Sequence, residues 1–422
     1  MRALLKRRPV VAWALYDWAN SAFATTVMAG FFPTFFKQFW SVGADPTQST
    51  VRLGLANAVA GFAIALLAPV LGAIADRGGQ RKQFLLAWTA LGVLATAGLY
   101  FVGQGEWQLA VLLFVLGTMG FNGAIVFYDS MLLDVAQPSE FDRVSALGFS
   151  AGYLGGGLLF AFNVLLTLKP AWFGLSGPAA AVQLSFLSVA IWWLVFTVPL
   201  ARYVELRQVD APAPLGRAVR AGLRELGATV RHVANYRTIV MFLLAYWLYI
   251  DAVNTIIKMA IDYGLSLGLP AAGLLAALLL TQFVAFPAAL LFGYLGDRIG
   301  AQRGILIGLA VYIGVTLYAY FLDTVVEFYV MAVVVGLVQG GVQSLSRSLF
   351  GQMVPAGKNA EFFGFYNMMG KFATVLGPLL VAVVAGITGD SRASILSLVI
   401  LFIAGAALLV RVRPAHAPGN NR

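Results

Sequence analysis

Apolar runs of about 20 residues, the length that carries a helix across a hydrocarbon core, recur from near Val10 to near Val410 of this 422-residue chain. Sequences of this kind cannot form a water-soluble fold here, because 60% of the residues are apolar and only 11% are charged, too few to clothe the surface. The expected fold class is an all-α membrane protein with twelve transmembrane helices. The spans are placed near residues 10–38, 52–75, 83–103, 108–133, 144–167, 180–201, 238–265, 272–295, 304–322, 327–353, 362–387 and 393–411. Lys6, Arg7 and Arg8 ahead of an apolar run look like the start of a signal peptide. That run continues to Phe36, carries Asp17 and Asn20, and has no small-residue cleavage site, so it is expected to remain as the first helix.

Charge fixes the expected orientation. With the N-terminus cytoplasmic, 21 of the 28 Lys and Arg residues fall on the inner side and only Lys37, Arg52, Lys169 and Arg392 on the outer, leaving three within spans. Positive residues stay on the cytoplasmic side, so both termini are expected there, in a bacterial inner membrane. The net charge of +10 is dispersed among short connecting segments, so no nucleic-acid partner is expected. With no cysteine, disulfides, thiolate catalysis and Cys-type metal sites are excluded. His232 and His416 fall in cytoplasmic segments, so a two-histidine metal site inside the bilayer is not available. No metal and no cofactor are expected.

The most informative pattern is an internal repeat. Asp17 and Asn20 on span 1 return as Asp251 and Asn254 on span 7. Gly72, Asp76, Arg77 and Gly79 after span 2 return 221 positions later as Gly293, Asp297, Arg298 and Gly300 after span 8. The expected organisation is an N-terminal six-helix half over residues 1–203, a cytoplasmic linker over 204–236, and a C-terminal six-helix half over 237–422. The Arg-dotted stretch Leu215 to Val233 within the linker is amphipathic and is expected to lie on the membrane surface.

The doubled loop resembles the signature of the major facilitator superfamily. Two further stretches narrow the likeness: Tyr16 through Phe23, reading Tyr-Asp-Trp-Ala-Asn-Ser-Ala-Phe, and Gln339 through Arg347 running on to Glu361, Asn367 and Lys371. These resemble the branch of the autophagy-related vacuolar amino-acid effluxers of fungi and their bacterial relatives. The resemblance implies a transporter that rocks two halves about a central cavity and moves amino acids. Span 5 has Gly148, Gly152 and Gly156 but lacks the Gly-Pro ending of drug/proton antiporters, which weakens that version of the mechanism.

Charged residues inside a bilayer cost roughly 2.5–3.5 kcal/mol each on insertion scales, so they face partners or a wet cavity. Several share a helix face by spacing: Asp17 with Asn20; Asn122 with Asp129; Asp251 with Asn254 and Lys258; Gln339 with Gln343 and Arg347. Asp17, Asn20, Asn122, Asp251, Asn254, Lys258, Gln339, Gln343, Asn367 and Lys371 are the candidates for substrate binding or proton coupling. Asp76, Arg77, Asp129, Asp297, Arg298 and Arg347 are the candidates for gates. Carboxylates and amines in one cavity suit a zwitterion, with Asp251 or Asp17 meeting an ammonium and Lys371 or Lys258 a carboxylate. The rival reading is mutual neutralisation, Asp251 with Lys258 or Lys371 and Asp129 with Arg347. The glycines of span 5 read as close helix packing, while Tyr16, Trp18, Trp247 and Tyr249 line the cavity or pack in the core.

Enzyme readings find no support. Gly364 through Phe372 has the wrong spacing for a phosphate loop and Phe where Ser or Thr must reach magnesium. The leading expectation is therefore a secondary active transporter of a small polar, amino-acid-like solute, working by alternating access and coupled to protons or another ion. The alternatives are an exporter of amphipathic or drug-like compounds or lipids, and a sensor of transporter fold that does not transport. The expected partners are a small-molecule substrate, the lipid bilayer and the coupling ion, with the chain a monomer.

Overall fold

A backbone in hydrocarbon must satisfy its own hydrogen bonds, so long apolar runs fold as helices. The computed structural model, which describes residues 2–43, 46–206, 215–373 and 376–413, is helical throughout its regular structure. Among the described residues, eleven helices are long and apolar enough to cross a membrane. A further stretch before them starts as α1 (Arg8–Ala22) and continues through two π-helical segments, Phe23–Phe31 and Phe36–Trp40. Together they match the expected twelve.

After α1 come α2 (Pro46–Gly78), α3 (Arg81–Gly98), α4 (Trp107–Ser130), α5 (Phe141–Leu168) and α6 (Pro178–Tyr203). The amphipathic segment forms α7 (Leu215–Arg231), followed by α8 (Arg237–Ser266), α9 (Ala271–Ile299), α10 (Ala301–Ala319) and α11 (Val325–Gly351). The expected eleventh span is broken into α12 (Asn359–Phe372) and α13 (Leu376–Thr388), and α14 (Leu398–Val410) ends the bundle. Pro212, Pro214 and His416 lie outside the described residues, as does the end of the chain beyond residue 413.

Buried apolar side chains gather in separate clusters. One spans Ile239 to Val412; two others draw on Leu4 to Val204, with Ala360 of α12 joining one of them. Between the sets, α2 lies along α12 and α5 along α9. Gly72 permits the first contact: a Cβ there would stand 2.1 Å from the Ala360 carbonyl oxygen. Gly293 permits the second, where a Cβ would stand 2.4 Å from the Ala146 Cβ. Both glycines belong to the repeated signature, so the repeat encodes two close helix crossings.

The start of α1, the end of α2 and α7 mark one face of the bundle, here called the linker side. Helix α7 does more than rest on a surface. It packs on the end of α2, where a Cβ at Gly222 would lie 2.8 Å from the Ile74 nitrogen. Its Thr229 accepts a hydrogen bond from Lys358, at 2.7 Å, just before α12. Arg217, Arg220 and Arg224 stay exposed.

Candidate functional site

The glycines of span 5 determine how the site is built. A Cβ at Gly152 would stand 2.5 Å from Ser21 Oγ and 3.1 Å from Asp17 Oδ1, and one at Gly148 would stand 2.8 Å from the Tyr128 hydroxyl. Their absence lets α5 lie against α1 and brings Asp17 into the centre of the molecule.

At that centre Arg347 of α11 is buried, with 2% of its surface exposed. Its Nη1 donates to Asp129 Oδ1 at 3.0 Å and lies 3.7 Å from Asp17 Oδ2. Its Nε and Nη2 donate to the hydroxyl and carbonyl of Ser145, at 2.9 and 2.8 Å. Rings of Trp13, Tyr128 and Phe149 surround the guanidinium, with centroids 4.9, 5.4 and 4.3 Å away. The other oxygen of Asp129 accepts from Asn367 Nδ2 at 3.1 Å, and Tyr128 donates to Asp17 at 3.1 Å. The two sets of helices are thus joined by one polar knot, in which the spacing-derived pair of Asp129 and Arg347 is present.

The repeated loops fasten the linker side further out. Asp76 accepts from the first amides of α12, Ala360 N at 3.1 Å and Glu361 N at 3.0 Å, where unpaired N–H groups and the helix dipole favour a carboxylate. Arg81 lies 3.5 Å from Asp76 and grips Asp134 through two hydrogen bonds of 2.7 and 3.2 Å. Asp297 pairs with Arg143, and Ser348 donates to Asp142. Arg298 is turned to its own helix, donating to the Tyr294 hydroxyl at 2.5 Å. Arg77 sits in the last turn of α2.

Above the knot, away from the linker side, lies a cavity of about 410 Å³. Its polar lining includes Asp17, Asn20, Asn254, Gln282, Gln339 and Gln343. Tyr153, which sequence reasoning missed, joins that lining across the molecule: it donates to Gln343 Oε1 at 2.7 Å and accepts from Gln339 Nε2 at 3.1 Å. Toward the far end the wall becomes aliphatic, with Ile256, Ile257, Ala260, Ile261, Leu274 and Leu278. Among the described residues, Asp17 is the one charged residue of the lining.

Several expected binding residues stand elsewhere. Asn122, Asp251, Lys258, Asn367 and Lys371 are not among the lining residues, so among the described residues the lining offers no cation for a carboxylate. The break between α12 and α13 explains Asp251. The restart of α13 leaves amides without intrahelical partners, and Asp251 accepts from two of them, Leu376 N at 2.9 Å and Gly377 N at 3.0 Å. Asp251→Asn removes one acceptor from that cap and is expected to lower stability by about 1–3 kcal/mol. A thermal melt of the variant checks this; an unchanged Tm together with lost transport would return Asp251 to substrate or proton chemistry.

A family model described as "Vacuole effluxer Atg22 like" matches residues 5–418. The chain belongs to this family. A Bacillus subtilis protein described as an uncharacterised MFS-type transporter, YxiO, is 41% identical over 95% of this chain and 94% of its own length. Autophagy-related protein 22 of Coccidioides immitis is 23% identical over 96% of this chain and 87% of its own. Among solved structures, the human organic anion transporter MFSD10 superposes with a TM-score of 0.71 at 15% identity, covering 95% of this chain and 99% of that one. The proton:xylose symporter XylE gives 0.68 at 13% identity, covering 96% and 94%. The fold of this Atg22-like protein is that of the major facilitator superfamily, and the chain is an MFS-type transporter of the membrane.

Proposed function

We propose that this protein is a proton-coupled secondary transporter of a small amino-acid-like solute, with residues 1–203 and 237–422 rocking about the central cavity and both termini cytoplasmic. The observation that carries the reading is the position of Asp17, which faces the cavity on one side and Arg347 of the knot on the other. A group so placed links what the cavity holds to whether the linker side is closed. A cavity of about 410 Å³ suits one small metabolite. In this reading Asp17 meets the ammonium, the amides of Asn20, Gln339 and Gln343 meet the carboxylate, and the aliphatic wall takes an apolar side chain.

Transport needs contacts that separate. The closures on the linker side are hydrogen bonds, ion pairs and glycine crossings, which break and reform as discrete units, so alternating access is supported over a channel. Asp76, Asp129, Asp297 and Arg347 then act as gates on the linker side. The B. subtilis relative supports a bacterial cell membrane as the location.

In proteoliposomes, Asp17→Asn is expected to abolish accumulation driven by an imposed pH gradient and to weaken exchange of labelled amino acid as well, because the same carboxylate meets the ammonium. Undiminished pH-driven accumulation would remove Asp17 from coupling. The aliphatic wall favours a second reading, export of amphipathic compounds. Competition by lipophilic cations, with none by amino acids, would select it.

A further inference from the structure

A second cavity, of about 380 Å³, lies on the linker side where α1 begins and α6 ends, and it shares no lining residue with the central cavity. Its lining includes Arg7, Arg8, Asp134, Arg202, Tyr203 and Glu205. Two of these charges are already engaged. Asp134 is held by Arg81, and Arg7 donates to Glu140 at 2.6 Å and to the Val135 carbonyl at 2.7 Å.

Arg8 and Arg202 are different: both are exposed, and among the described residues neither has a carboxylate within salt-bridge distance. Their guanidinium carbons lie 5.8 and 6.0 Å from the centre of the Tyr203 ring, so the two forks flank one phenol. Lys82, outside the lining, donates to the Val204 carbonyl just beyond Tyr203 at 2.9 Å. With Glu205 also in the lining, three arginines stand against two carboxylates and the balance is positive. Arginine forks and a phenol hydroxyl match the tetrahedral array of phosphate oxygens.

Position selects the source of that phosphate. Arg8 opens α1 and Tyr203 closes α6, so the mouth lies where two spans leave the hydrocarbon, the level favoured by interfacial Tyr and Arg. We propose that this cavity binds the phosphate of an anionic lipid headgroup. Its wall residue Asp134 connects through Arg81 to Asp76, the carboxylate that holds the first turn of α12. The bound lipid therefore adjoins the linker-side closure.

The test uses the full-length protein in neutral detergent, titrated with phosphatidylglycerol, phosphatidylcholine or inorganic phosphate while Tm is followed. Phosphatidylglycerol is expected to raise Tm, and the other two are not at the concentration where it saturates. Arg8→Gln and Arg202→Gln are each expected to weaken the apparent Kd about fivefold, and the double variant about thirtyfold. Arg217→Gln, on the exposed face of α7, is the control and is expected to leave the response unchanged. An equal response in the wild type and the double variant, or an equal loss in the Arg217 control, would overturn the site. A Tm rise with inorganic phosphate alone, lost in the double variant, would overturn the lipid as its source. Both arginines are exposed, so the variants are expected to fold, and their Tm without lipid verifies it.

Discussion

Arg347→Met is expected to reduce transport to background and to lower Tm by more than any other single change in the central knot. One guanidinium serves Asp129, Asp17 and both oxygens of Ser145 inside a ring of three aromatic side chains. Its loss leaves two carboxylates buried without their cation, and breaking a buried pair on one side costs roughly 3–5 kcal/mol. The joint replacement Asp129→Asn with Arg347→Gln is expected to recover part of the stability and none of the coupling, since a neutral pair no longer answers to Asp17. Charge reversal of Asp129 and Arg347 together is expected to recover less than a simple ion pair would, because Ser145 accepts nothing from an aspartate at 347. Melting curves and pH-driven uptake separate these outcomes. Wild-type transport by Arg347→Met would mean that the knot is not a gate.

Gly72→Val is expected to trap the opposite conformation. A Cβ at this position would overlap the Ala360 carbonyl at 2.1 Å, and backbone cannot yield as a side-chain tip can. Overpacking of this kind costs about 1–3 kcal/mol, and each 1.4 kcal/mol shifts a two-state population about tenfold. The same substitution at Gly61 of α2, where a Cβ would meet nothing within 4 Å, is the matched control. The chain contains no cysteine, so a single cysteine at Ala260 in the cavity wall reports access directly. An impermeant thiol reagent applied opposite the linker side is expected to label it in the parent and in Gly61→Val, and to label it several-fold more slowly in Gly72→Val. Equal labelling would show that the α2–α12 crossing does not set the conformation.

Much of this arrangement was legible in the sequence because hydropathy and charge operate at the level of whole spans. Length gave the spans, and the doubled loop gave the internal repeat. Spacing on one helix face brought out Asp129 with Arg347, since both had to find a partner in a medium where unpaired charge is costly. The rotation of each helix about its axis was not legible, and it decides which of two equally spaced polar residues meets the cavity. Asp251 repeats Asp17 in sequence, yet it caps α13; Gly377 and Pro378 carry the sequence signal for a helix restart there, and reading the span for apolar length alone passes over it. Tyr153 escaped notice for a related reason. It stands among the glycines of span 5, which themselves read as packing, and its role as a bridge depends on two glutamines from a distant part of the chain.

The π-helical stretch of the first span has a consequence for what the cavity displays. Widened turns place residues five apart on one face, and Ala24 and Ala29 both line the cavity from within Phe23–Phe31. In ordinary α geometry those two side chains would point roughly 140° apart. The surface offered by this helix is therefore a property of its hydrogen-bond register as well as its sequence. A shift of one register would present a different wall to the same solute without displacing the helix axis.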